Sequence, residues 1–174
     1  MNFDIFKPGV IWITGLPGVG KTTLAKNLID YLAGMQIRTI HLDGDVLREV
    51  LNLDLGYTPS ERLKLASIYQ RVAKMLFNQD SLVVVSTVSL FHEIHQQNRL
   101  DFSNYLEIYL QMSIADLVKG PRNNLYRNLK NVPEVDFTPE YPLHPHIYLY
   151  SKEPADRSNW LEIILNELGP RGKE

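Results

Sequence analysis

The sequence predicts an α/β domain of three layers, α/β/α, built around a mainly parallel five-stranded sheet. Short apolar, β-branched runs alternate with stretches of helical periodicity along the chain. These runs are apolar throughout, as strands covered on both faces must be. The first of them passes into a glycine-rich turn that opens onto an amphipathic helix, the junction at which such sheets bind ligands.

GVIWIT (9–14) reads as a buried strand ending at that turn. In KTTLAKNLIDYLAG (21–34), Leu24, Leu28, Ile29 and Leu32 share one helical face, and Gly34 marks the end. IRTIHL (37–42) is the second strand. Thr58, Pro59, Ser60 and Glu61 combine a capping box with proline at the first helical position. The helix they open predicts a buried stripe of Leu65, Ile68, Tyr69, Val72 and Leu76. SLVVVST (81–87) is the most apolar strand and is expected at the centre of the sheet. NYLEIYLQ (104–111) is a fourth strand, and Ser113 with Asp116 opens a short helix. HIYLY (146–150) is the fifth strand, followed by a helix from about Pro154 to Leu168 that stops at Gly169-Pro170. Residues 119–145 are rich in proline, asparagine and charge, and read as a lid. Neither repeats nor a composition shift divides the chain, so a single domain, 1–174, is expected.

Composition narrows the class. Hydrophobic residues make up 44% and charged residues 22%, ordinary values for a soluble globular protein. A net charge of −2 offers no basic surplus for nucleic acid or an anionic membrane. With no cysteine there are no disulfides or thiolate metal sites. MNFDIFKPG lacks the basic and apolar regions of a signal peptide, and no run approaches a membrane span. The sequence therefore reads as a soluble, cytoplasmic protein.

The chemistry starts at GLPGVGKTT (15–23), which fits G-x-x-x-x-G-K-[ST] with Gly15, Gly20, Lys21 and Thr22. The residues of this turn, Gly15, Leu16, Pro17, Gly18, Val19, Gly20, Lys21, Thr22 and Thr23, are placed to surround the phosphates of ATP, with backbone N–H groups from all but Pro17 available to them. The helix beginning at Lys21 aims its positive end at the same anion. Lys21 neutralises the β- and γ-phosphates, and the Thr22 hydroxyl is placed to ligate Mg²⁺.

Two acids follow in HLDGDVLREV (41–50). Ligands of open α/β sheets bind beyond the carboxyl ends of the strands, and Asp43 ends the second strand. SLVVVST lacks the strand-end aspartate of a usual Walker B motif, so Asp43 and Asp45 are the candidates for metal and base duties. Arg48 shares a helical face with Asp45 and is suited to clamp an anionic substrate.

GLPGVGKTTLA, LDGDVLR, LNLDLGYTPSER and VVVSTVS together resemble the adenylylsulfate (APS) kinase family of P-loop kinases, over about residues 8–112. The resemblance implies a P-loop fold and transfer of phosphate from MgATP to the 3′-hydroxyl of adenosine 5′-phosphosulfate. It implies that Asp45 accepts or orients the acceptor hydroxyl while Asp43 supports Mg²⁺ through water. Arg48 and Arg62 would hold the substrate's anionic group. Tyr57 stands where the family has a phenylalanine that packs on the substrate base, and Asn52 belongs to the same turn. Ser89 and Phe91 fall in the family's S-P-Y-R-x-x-R segment. A small nucleotide-type substrate and, since dimers are usual among relatives, a homodimer are the partners implied.

The departures cluster on the acceptor side. His92 and His95 replace both arginines of S-P-Y-R-x-x-R, and the asparagine and two arginines that the family has earlier, just after the LGYTPSER-like segment, become Leu65, Ser67 and Ile68. The segment VSLFHEIHQQNR is similar to a divergent branch associated with capsule or polysaccharide gene sets, which implies a cytidine nucleotide such as cytidine diphosphoramidate as the alternative acceptor. His92 and His95 read as substrate-facing or surface residues rather than metal ligands, and His144 and His146 as structural. Arg122 and Arg127 read equally as lid groups closing on ATP and as solvated loop residues. A nucleotide-binding switch and a non-catalytic binding domain remain alternatives. Acids on strand two in place of a Walker B aspartate favour the kinase over the switch.

Overall fold

The computed structural model describes residues 3–119, 126, 138–150 and 159–168. Five strands form one sheet: β1 (Gly9–Gly15), β2 (Thr39–Asp43), β3 (Leu82–Thr87), β4 (Tyr105–Gln111) and β5 (Ile147–Tyr150). Their order is β2-β3-β1-β4-β5, and every neighbouring pair is parallel. Parallel neighbours need long crossovers. These carry α1 (Lys21–Gly34), α2 (Gly44–Leu51), α3 (Pro59–Phe77), α4 (His92–Asp101) and α5 (Ile114–Leu117), while α6 (Trp160–Leu168) follows β5. β3 has a neighbour on each side, as its apolarity predicts, but β1 holds the middle position. All seven residues of β1 are also buried, and hydropathy alone does not rank two such strands.

Two cores face away from the sheet. On one side Ile11, Ile13, Val84 and Leu106 pack with Leu24 and Leu28 of α1 and Ile164 of α6. On the other Val10, Trp12, Val83 and Val85 pack with Leu65, Tyr69 and Ala73 of α3 and Ile94 of α4. This is the three-layer arrangement expected, with the carboxyl ends of all strands on one edge. No helix among the described residues is long and apolar enough to cross a membrane.

The buried stripe of α3 is rotated from the sequence expectation. It runs Leu65, Ala66, Tyr69, Gln70, Ala73, leaving Ile68 only half-buried. Small residues let the helix approach the sheet closely, so alanine wins the inward positions over isoleucine.

The end of α1 also differs. Gly34 stays helical, and the left-handed residue that turns the chain is Gln36, at φ 62°. Ile37 N then donates to Leu32 O at 2.9 Å. A Cβ on Gly34 would meet nothing within 4 Å. Gly34→Ala is therefore expected to raise stability by about 0.5 kcal/mol, read from the urea midpoint at unchanged slope.

The part of the last helix predicted before 159 lies outside the described residues, as do Arg122 and Arg127. Of the predicted lid only Lys119, Tyr126 and residues 138–145 are described.

Candidate active site

The turn after β1 is shaped by its glycines. Gly18 and Gly20 have φ of 80° and 107°, and a Cβ on Gly15 would lie 2.3 Å from Leu110 O. Leu16 and Val19 are buried in the core and anchor the loop from below. Gly20, the N-cap of α1, has no side chain to accept the helix's first N–H groups, so the positive end of α1 faces the loop. Buried Lys21 donates from Nζ to Gly15 O at 3.0 Å and Leu16 O at 2.8 Å, which places its ammonium within the loop. Thr23 is exposed on the outer side of α1. Pro17 O accepts a 2.5 Å hydrogen bond from the Tyr126 hydroxyl, which joins the predicted lid segment to the glycine-rich turn. Tyr126 was not among the residues singled out from sequence, where the nearby arginines stood out instead.

Asp43 and Asp45 differ sharply in surroundings. Asp43 caps α2: Oδ1 accepts from Asp45 N at 3.0 Å and Val46 N at 3.4 Å. Its Oδ2 accepts from the Thr22 hydroxyl at 2.7 Å and the Ser86 hydroxyl at 2.8 Å. Burial by itself would raise the Asp43 pKa. The hydrogen bonds from Thr22, Ser86 and the two backbone N–H groups outweigh it and hold the carboxyl below its ordinary value. Asp45 is exposed in the first turn of α2, and its carboxylate makes no hydrogen bond among the described residues. A Cβ on Gly44, between them, would stand 3.0 Å from Thr87 Oγ1, a tight contact that glycine avoids. The Tyr69 hydroxyl donates to Gly44 O at 2.6 Å and fastens α2 to α3.

Three residues that the resemblance assigns to the acceptor come together. The Arg48 guanidinium lies 4.4 Å from the Tyr57 ring centroid and that of Arg62 5.1 Å from it. Arg48 donates to Leu55 O at 2.7 Å and Gly56 O at 3.1 Å, and Arg62 donates from Nε to Tyr57 O at 2.9 Å. Burial and the like charge of Arg48 lower the Arg62 pKa, while Tyr57 and Asp45 oppose this. Asp45 thus reaches the cluster by its field. Thr58 and Glu61 close the expected capping box under Pro59, which fixes Arg62 one turn inside α3.

Other expectations are redirected. Asn52 caps α2 in the left-handed region at φ 44°, which asparagine tolerates, and its side chain makes no hydrogen bond among the described residues. Ser89 is buried with its hydroxyl 3.0 Å from Thr87 Oγ1. Phe91, the N-cap of α4, packs against the α3–α4 core.

His95 is not a surface residue. It is buried, with Nδ1 2.7 Å from Oε1 of fully buried Glu107. Arg99 donates to Glu107 Oε2 at 2.5 Å and to His144 O at 2.6 Å, and the Tyr105 hydroxyl donates to Oε1 at 3.1 Å. Burial would raise the Glu107 pKa, but His95, Arg99 and Tyr105 more than offset it. His146 Nδ1 accepts from Glu107 N at 2.9 Å, in line with its structural reading. His92 turns to the end of the lid segment, with Nε2 2.9 Å from Tyr141 O and its N–H donated to Glu140. Glu107 is the one charged side chain in an apolar strand, a signal the sequence carried but the strand pattern obscured.

A family model for adenylylsulphate kinase matches residues 7–150. A cytidine diphosphoramidate kinase from Campylobacter jejuni is 36% identical over 140 residues, covering 78% of this chain and 82% of that one. An adenylyl-sulfate kinase from Oceanobacillus iheyensis is 31% identical over 165 residues, covering 91% and 83%. Among solved structures, the Mycobacterium tuberculosis APS kinase in complex with AMPPNP and APS superposes with a TM-score of 0.81 at 24% identity, covering 93% of this chain and 98% of that one; this is a likeness of fold.

Proposed function

The chain belongs to the adenylylsulphate kinase family and is a phosphotransferase, and we propose that it moves the γ-phosphoryl group of ATP to a hydroxyl of a nucleotide-type acceptor. One observation carries this reading. Thr22 donates to Asp43 at the end of β2, and two residues on, in the first turn of α2, Asp45 acts by its charge on Arg62 of the Arg48–Tyr57–Arg62 cluster.

Mg²⁺ fits this donor set. The Thr22 proton is spent on Asp43, so its lone pairs remain for a hard cation, and both residues offer only oxygen. Thr22 would hold the ion directly and Asp43 through water. When bound, Mg²⁺ supplies charge neutralisation on the phosphates. The loop N–H groups, the start of α1 and Lys21 hold the β- and γ-phosphates in line. Asp45 orients the acceptor hydroxyl and takes its proton. Arg48 and Arg62 balance the acceptor's negative charge, and the Tyr57 ring packs against its base.

Two acceptors compete: adenosine 5′-phosphosulfate, and a cytidine nucleotide of the diphosphoramidate kind. The second is favoured by a specific observation. At the family's arginine positions stand His92, whose Nε2 lies 2.9 Å from Tyr141 O, and His95, which is buried against Glu107, so no arginine is offered to an acceptor there. The 36% identity to a cytidine diphosphoramidate kinase points the same way. ADP release with a panel of both nucleotide classes decides it. Saturable stimulation by cytidine compounds alone is expected, and stimulation by adenosine 5′-phosphosulfate alone would reverse the assignment.

A further inference from the structure

The hydrogen bonds at Asp43 do not end at Ser86. His41 Nε2 lies 2.9 Å from Ser86 Oγ. The register explains the contact. Asp43 is paired with Ser86 and His41 with Val84, so both β2 residues and Ser86 share the face covered by α1. Thr22 reaches the same carboxylate from the first turn of α1.

The direction of the chain follows from proton counting. An ionised Asp43 can only accept, so the single Ser86 proton goes to Oδ2. Ser86 then meets His41 with a lone pair, and His41 must donate from Nε2. The order is His41 to Ser86 to Asp43, with Thr22 donating to the same oxygen.

This chain has a mechanical purpose. The backbone N–H groups of Asp45 and Val46 hold only Oδ1. The terminal torsion of an aspartate is broad and its two oxygens turn together, so a second anchor at Oδ2 narrows the swing that bonds at Oδ1 alone would leave. Ser86 fixes Oδ2, and His41 removes the rotational freedom of the Ser86 hydroxyl. With Oδ2 fixed, the Thr22 proton has one destination and its lone pairs one direction. Ser86 thus sits near the end of β3, where a Walker B aspartate would sit, and steadies a carboxylate supplied by β2.

We propose that His41 and Ser86 are positioning residues of the phosphotransfer site, which hold Asp43 so that Thr22 presents its oxygen to the cation of a bound nucleotide. The inference rests on the donor-side reading above. The test measures AMPPNP binding by calorimetry, with Mg²⁺ and in EDTA, for the wild type, Ser86→Ala, His41→Leu and His41→Gln. Outer partners of metal ligands typically matter 10- to 100-fold. Ser86→Ala is expected to reduce the gain in affinity from Mg²⁺ by about 10-fold, and His41→Leu by roughly 3-fold since it acts one bond further away. Affinity in EDTA should hold within about 2-fold, and His41→Gln, whose amide can donate to Ser86, should restore the Mg²⁺ gain. An unchanged Mg²⁺ gain in both Ser86→Ala and His41→Leu, or equal losses with and without Mg²⁺, would overturn the inference while leaving the donor site intact. Failure of the wild type to bind AMPPNP at all would overturn the donor-site reading and this inference with it.

Discussion

Lys21→Ala will abolish phosphoryl transfer, with kcat falling by about 10³-fold or more. A single well-placed donor to a developing oxyanion contributes 10²- to 10³-fold, and a buried ammonium carries a full charge in addition. The structure places that charge where it counts, since Nζ is bonded to the carbonyls of Gly15 and Leu16 inside the loop. No other basic side chain belongs to the loop or the first turn of α1. The loop's own shape rests on glycine geometry and on buried Leu16 and Val19, so the fold should survive. A coupled assay of ADP release, with thermal unfolding as a control, separates the two. Residual turnover above a tenth of wild type would remove Lys21 from the mechanism.

Asp45→Asn should leave nucleotide binding nearly intact and lower turnover by 10²- to 10⁴-fold, the usual contribution of a positioned base. The structure makes this a clean substitution. Asp43 and Asp45 are two positions apart, yet the first accepts four hydrogen bonds and the second accepts none among the described residues. Changing Asp43 would disturb the α2 cap, Thr22 and Ser86 together. Changing Asp45 removes a proton acceptor and little else. Single-turnover kinetics at saturating ATP would show the loss in the chemical step. Full activity in Asp45→Asn would assign the proton transfer to another group.

The shape of the turn after β1 was legible because its geometry is local. A loop that must wrap phosphate needs glycine at set spacings, and spacing survives in a sequence. The capping box at Thr58 and Glu61 was legible for the same reason. The Arg48–Tyr57–Arg62 cluster came from resemblance rather than from pattern, since Arg62 by itself reads as an ordinary helix residue. The chain from His41 through Ser86 to Asp43 was not legible. It depends on which residues of β2 and β3 stand opposite each other, and strand register is a tertiary fact. His95, read as a substrate-facing or surface residue, is buried instead, because its partner, Glu107, lies twelve positions later on another element.

Glu107 bears on how the sheet finds its pairing. Strands buried on both faces have no polar side to tell one face from the other, so sliding by one residue costs such a strand little in hydrophobic contact. β4 is of this kind except at Glu107. In the observed pairing its carboxylate opposes Trp12 and meets His95, Arg99 and Tyr105. A shift by one position would drive a bare charge into the core formed by α1 and α6. The cluster therefore works as a key for alignment, accepting one setting of β4 against β1 and rejecting its neighbours.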